Sequence, residues 1–220
     1  MNESRQAVAE SAAAAVRYLS MHGFENTTVG ELADAIGMSR STFFRRFGSK
    51  EDAIFADHDL ALARLEELLS ESELGPSGAL TYGTVEVLHI LVRDPEAARL
   101  RWELLRQNPA LRERELVITH RYERVFAEYL GRIALPGTPS WAPVALAAGL
   151  VAVHNSALRR WLRHSDYQAL GALEGELREL TERFAPWFGG EAQGRRVLVA
   201  SFDPGASPEE IAQAITAHLN

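Results

Sequence analysis

The chain has 220 residues, a formal net charge of −7, 46% hydrophobic and 24% charged residues, and no cysteine. That composition excludes a fibrous or wholly disordered polymer, and the missing thiols exclude disulfide frameworks, cysteine nucleophiles and Cys-based zinc sites. The longest apolar run, Trp141 to Val153, contains a proline and a glycine and falls short of the roughly 18 residues a membrane-spanning helix needs. The alanine-rich stretch Ala12 to Ala15 lies among Glu3, Arg5, Glu10 and Arg17 at helical intervals. It reads as an amphipathic helix and not as a secretory leader, so the expectation is a cytoplasmic protein without membrane association.

Amphipathic helices with short connections account for most of the chain, giving an all-α class of about nine helices. The first spans 4–22, with Val8, Ala12, Ala15, Val16 and Leu19 on one face and Gly23 as its stop. Thr28 or Thr27 caps a second, Val29 to Ile36, which Gly37 ends. Ser39 caps a short third helix to about Arg46, and Ser49 caps a long fourth from Lys50 to about Glu73, closed by Gly75-Pro76. A helix near 77–92 follows. Asp94-Pro95 and Asn108-Pro109 then read as N-cap and first helical residue of two more.

After the Leu135 to Pro139 loop, Ser140 opens an apolar helix to about His164, and Ser165 or Asp166 opens the last, to about Phe188. The tail differs: Arg196 to Phe202 alternates like a strand, and a capped helix starts at Ser207-Pro208. The organisation expected is a three-helix domain over 1–49, a helical domain over 50–194 and a strand-helix extension over 195–220.

Between Gly23 and Phe47 the pattern carries function. Leu32, Ala33 and Ile36 share a helical face, Gly37 permits a tight turn, and Phe43 and Phe47 repeat at i, i+4. Two short helices joined by such a turn, against a longer preceding helix, make a helix-turn-helix. Its second helix leaves Arg40, Ser41, Thr42, Arg45 and Arg46 outside, residue types that read base edges and phosphates in a major groove. From Gly37 to Lys50 there are four basic residues and no acid, in a chain otherwise negative. Lys50, at a helix start, is placed to hold a phosphate.

These residues make residues 4 to about 55 resemble the DNA-binding domain of the TetR family of regulators. The resemblance rests on Gly23-Phe24, Thr27-Thr28, Glu31-Leu32-Ala33, Gly37, Ser39, Thr42 to Phe47 and Ser49-Lys50-Glu51. It implies DNA-facing positions at Thr28, Arg40, Ser41, Thr42, Phe44, Arg45 and Lys50, to which Ser39 and Arg46 are added from the helix itself. Phe44 stands where a tyrosine is common and Ser41 where a glycine is frequent. The resemblance also implies a homodimer on an inverted-repeat operator, with repression relieved when an effector binds.

The C-terminal part is read from its own residues. Leu88, Trp102, Leu105, Tyr122, Phe126 and Trp161 are candidates to line a cavity, with His89, His154 and Asn155 as its polar contacts. A mainly hydrophobic effector is expected, such as an acyl or other lipid-like molecule. Residues 140–188 are the expected dimer surface, through small residues (Ala145, Ala148, Gly149, Ala152) and the stripe Leu170, Leu173, Leu177, Leu180 and Phe184.

No catalytic residue, cofactor or metal site is expected. The members of Asp57-His58-Asp59 point in different directions on a helix, and His164-Ser165-Asp166 reads as a helix junction. Two alternatives stay open at this point: a ligand-independent DNA-binding dimer and, more remotely, an all-helical enzyme.

Overall fold

The computed structural model describes residues 3–164 and 167–189. The expected strand and helix of the 195–220 extension, and the expected cap at Ser165 or Asp166, lie outside the described residues. Among the described residues there are ten helices and no strand: α1 (Glu3–His22), α2 (Val29–Ala35), α3 (Arg40–Phe47), α4 (Lys50–Ile54), α5 (Ala56–Glu71), α6 (Gly75–Val92), α7 (Pro95–Gln107), α8 (Pro109–Ile133), α9 (Ala142–His164) and α10 (Tyr167–Phe188).

The count exceeds the expectation because the helix expected over 50–73 is divided at Phe55. That residue has φ −106° and ψ 12°, and its ring is buried. No glycine or proline marks the division in sequence. Burial of Phe55 among other helices accompanies it, and helical periodicity alone does not register such a contact.

Local chemistry explains the other boundaries. Thr28 and Glu31 form a reciprocal capping box at the start of α2, which satisfies two otherwise orphaned backbone donors. Ser39 accepts from Thr42 N at 3.1 Å, Ser49 from Asp52 N at 3.0 Å, and Asp94 from Ala97 N at 3.0 Å. Asn108 is the N-cap residue of α8 as expected, but without a side-chain capping bond. Its side-chain amide donates to Leu104 O at 2.7 Å, so it closes α7 while Pro109 begins α8. The apolar helix starts at Ala142, two residues after Ser140, through a turn in which Ala142 N bonds to Pro139 O.

Helix α1 is the spine of the N-terminal head, packing on α2, α4, α5 and α7, while α2 packs on α3. In the body α5 packs on α6, α8 on α9, and α10 lies across α9 and α6. Leu19, Leu32, Phe43, Ile54, Leu65, Leu80, Leu111 and Leu146 are among the fully buried side chains of the core that runs through both. Each such burial stabilises the fold by about 1.5–3 kcal/mol before conformational entropy is counted.

Two members of the leucine stripe of α10 lie wholly within this core, which corrects their expected place at a dimer surface. Leu173 and Leu177 have no exposed area, and Leu170, Leu180 and Phe184 are partly buried against the same subunit. Gly149 serves the same packing, since a Cβ there would lie 3.2 Å from Leu180. Ala145, Ala148 and Ala152 do face outward, beside Val144 at 63% exposure.

Candidate DNA interface and effector cavity

The head presents α3 to solvent. After α2, Gly37 takes φ +71°, a left-handed conformation that a Cβ would strain. Met38 N then bonds to Ala33 O at 2.9 Å, which turns the chain into Ser39 and α3. Phe43 has no exposed area and Phe47 is buried, their rings edge to face with centroids 5.2 Å apart. These rings fix which side of α3 faces outward.

On that outward side Ser39, Arg40, Ser41, Phe44, Arg45 and Arg46 are exposed, and Thr42 is half-buried with its hydroxyl accepting from Ser39 Oγ at 2.9 Å. The Arg40 guanidinium lies 5.6 Å from the Phe44 ring centroid and that of Arg46 lies 5.9 Å from Phe47. Aromatic support of this kind holds an arginine while leaving its planar donors available. Among the described residues none of Arg40, Arg45 and Arg46 is in an ion pair. Thr28 is exposed at the start of α2, its hydroxyl donating to Glu31 at 2.8 Å. With that hydrogen bond and the Thr28 N–H, the Glu31 carboxyl is held below its usual range, the backbone N–H being the larger cause.

Lys50, expected to hold a phosphate, makes hydrogen bonds within the protein. Its ammonium donates to Phe24 O at 2.7 Å and Thr27 O at 2.8 Å, and it lies 4.4 Å from the Phe24 ring centroid. Three donors on one ammonium are thereby largely committed within the protein. Lys50 ties the loop between α1 and α2 to the start of α4, a structural role whose partners lie 26 and 23 residues away.

In the body a cavity of about 80 Å³ lies between α5, α6, α7, α8 and α9. Six of the sequence candidates, Trp102, Leu105, Tyr122, Phe126, His154 and Asn155, line it. The other three do not. Leu88 points into the core, Trp161 is buried beneath the Arg99 guanidinium, and His89 is on the surface with Glu86 3.8 Å away. Helical spacing identified apolar faces but not which part of each face meets empty space.

Polar groups that the sequence reading missed line the cavity or pair with residues of its wall. Asp57 and Arg101, from α5 and α7, form an ion pair at 2.5 Å with both side chains about nine-tenths buried. His58 Nδ1 is 3.2 Å from the Tyr122 hydroxyl, and Glu115 lines the wall as well. Burial pushes the Tyr122 hydroxyl well above its ordinary range and raises the Glu115 carboxyl. The same cause lowers His58 and His154 to about 4, so both imidazoles are neutral near pH 7. The sequence reading sets Asp57 and His58 aside because adjacent helical residues point in different directions.

Side chains join the two regions. Phe55, where α4 meets α5, is itself a wall of the cavity. Asp52 of α4 accepts from Ser49 Oγ at 2.8 Å and pairs with Arg114 of α8 at 2.5 Å, just before the cavity-lining Glu115 and Ile118. Arg17 of α1 bonds to Asp94 at 2.6 Å and Glu96 at 2.9 Å, at the start of α7. These contacts tie α7 to α1 and α8 to α4, and α4 in turn packs on α3.

Two family models match the chain. The family model of bacterial regulatory proteins, tetR family, matches residues 12–56, and that of the MftR C-terminal domain matches residues 74–185, half of the chain. MftR of Mycobacterium tuberculosis, a protein assigned to transcriptional regulation of mycofactocin biosynthesis, is 27% identical over 163 residues, covering 72% of this chain and 82% of that one. The transcriptional repressor AcnR of Corynebacterium glutamicum is 37% identical over 93 residues, 42% of this chain and 43% of its own length.

Among solved structures, the SmeT–triclosan complex aligns with a TM-score of 0.57 at 18% identity, over 94% of this chain and 98% of that one. FadR from Bacillus subtilis in complex with stearoyl-CoA aligns at 0.56 and 19%, over 80% and 96%. These two likenesses show the fold. From its family models, and in keeping with the exposed α3 of its head, the chain belongs to the TetR family of DNA-binding transcriptional regulators.

Proposed function

We propose that the protein is a homodimeric cytoplasmic repressor, released from an inverted-repeat operator when a small, mainly apolar effector enters the cavity. The observation that carries the DNA half is the row Arg40, Arg45 and Arg46, exposed on a helix whose orientation Phe43 and Phe47 determine. In this reading Ser39, Arg40, Ser41, Thr42, Phe44, Arg45 and Arg46 meet DNA, with Thr28 at the start of α2 on a neighbouring phosphate. Lys50 acts from behind, holding the loop that carries Thr28.

The effector half is supported by a largely apolar cavity wall with a few converging polar groups. Triclosan in SmeT and stearoyl-CoA in FadR are effector-sized molecules bound by proteins of the same fold. The expectation of an acyl or lipid-like ligand keeps its apolar character. The volume of about 80 Å³ favours a compact molecule over a long chain. Occupancy would part α7 from α8, and through Arg17 and the Asp52–Arg114 pair reorient the head.

Dimer formation is assigned to the outward faces of α9 and α10, where Val144, Ala145, Ala148 and Ala152 are accessible, as are Gly171 and Gly175. Such small residues let helices of two copies approach closely. The head over 1–49 and the body over 50–194 are functional units in this reading, although one core runs through both. Sedimentation of the full chain with and without duplexes selected from a random pool tests it. The reading predicts two chains per duplex and release by an apolar effector, and a monomer that binds no duplex overturns it.

A further inference from the structure

We infer that the effector cavity takes a compact, neutral alcohol whose hydroxyl donates a hydrogen bond to Nε2 of His154. The inference rests on the effector reading above and adds the ligand's chemical class to it.

His154 is 7% exposed and lines the cavity. Its Nδ1 lies 3.2 Å from Asn155 Oδ1, an atom that only accepts, so Nδ1 carries the ring proton and donates. In a neutral imidazole the other nitrogen is then a bare acceptor. That nitrogen, Nε2, is buried and has no hydrogen-bond partner. Buried acceptors are seldom left unpaired, and because His154 lines the cavity, the donor is assigned to whatever fills it. Protonation is the other way to satisfy it, and burial opposes that charge.

The remaining polar groups select among donors. Arg101 is neutralised by Asp57, but Arg101 Nε and Asp57 Oδ1 are themselves buried without partners. The Thr84 hydroxyl closes on Leu80 O at 2.7 Å and that of Tyr122 on His58. A hydroxyl both donates and accepts, so it suits a cavity whose wall includes both an acceptor nitrogen and a residue with a spare N–H. A carboxylate meets an acceptor at His154, a second carboxyl at Glu115 and an arginine already paired. An alkylammonium brings a charge that the low-polarity wall disfavours. Phe55, Leu105, Ile118 and Phe126 surround the rest of the ligand. The volume of about 80 Å³ has room for roughly half a dozen water positions, which fits a small ring or a short chain.

Titration calorimetry of the full chain with benzyl alcohol, toluene and benzoate tests the assignment. Benzyl alcohol is expected to bind about tenfold more tightly than either of the others, and His154→Phe is expected to make the alcohol and toluene equivalent. In the unmodified protein, ring ¹⁵N shifts should report an unprotonated Nε2 on His154 that responds to the alcohol. Benzoate or toluene binding as tightly as the alcohol, a protonated Nε2, or no binding of any probe overturns the assignment. A gel shift on a selected operator separates this from the effector reading. Alcohol that binds yet leaves the DNA complex intact sinks the effector reading and keeps the ligand class, whereas release by benzoate alone sinks the ligand class and keeps the effector reading.

Discussion

The head and the body of this protein handle their polar groups in opposite ways. In the head, capping residues turn their hydroxyls onto adjacent backbone N–H groups, Lys50 closes on two carbonyls, and the charges left over lie on the outer side of α3. In the body, Asp57, Arg101 and His154 leave buried polar atoms unpaired beside a cavity. Among the described residues of the head no buried side-chain polar atom is left unpaired. An incompletely satisfied body has something to gain when a ligand arrives, and the difference explains how one chain both recognises and responds.

The largest test of that contrast is Phe43→Ala. Removing a fully buried ring from a packed helix-turn-helix is expected to cost about 3–5 kcal/mol, read as a lower denaturation midpoint. A loss under about 1 kcal/mol means that the head is not the sealed unit described.

Acidification addresses the body. His58 and His154 have folded-state values near 4 against an ordinary 6.5, so the unfolded chain takes up protons first. Stability is unaffected above pH 7, falls as pH drops below 6.5, and continues to fall until about pH 4, where the folded form protonates too. Between pH 7.5 and 5.5 the two histidines together account for about 2–3 kcal/mol. Denaturant titrations at both pH values measure this, and His154→Phe should remove about half of it.

Lys50→Met distinguishes an internal tie from a DNA contact. The loss of charged donors to Phe24 O and Thr27 O is expected to cost about 2 kcal/mol of stability without DNA present. Unchanged stability with weakened DNA binding would return Lys50 to the phosphate contacts. The smallest effect is Thr28→Ala, which removes the capping box of α2 for about 1 kcal/mol, visible in thermal unfolding.

The head was legible in sequence because its determinants are local. Ser39, Gly37 and the Phe43/Phe47 pair fall within a short segment, and each has a propensity that agrees with the others. The body's site was legible only as apolar faces carrying Trp102, Tyr122, Phe126 and His154. Its polar groups meet across the chain, Asp57 with Arg101 at a separation of 44 residues and His58 with Tyr122 at 64, and periodicity within one helix carries no record of such partners. For the same reason the division at Phe55 and the inward turn of Lys50 escaped the sequence reading. The leucines of α10 were readable as a stripe, but a stripe does not say which helix covers it.

The central claim is that the outer side of α3 reads DNA bases. Selection of bound duplexes from a random pool, run in parallel with the unmodified full chain and with Arg40→Ala, tests it most directly. The account predicts an inverted repeat for the former, and for the latter a weaker motif, by about 1–3 kcal/mol, relaxed at one position of each half-site. An identical motif bound with equal strength by both proteins contradicts it.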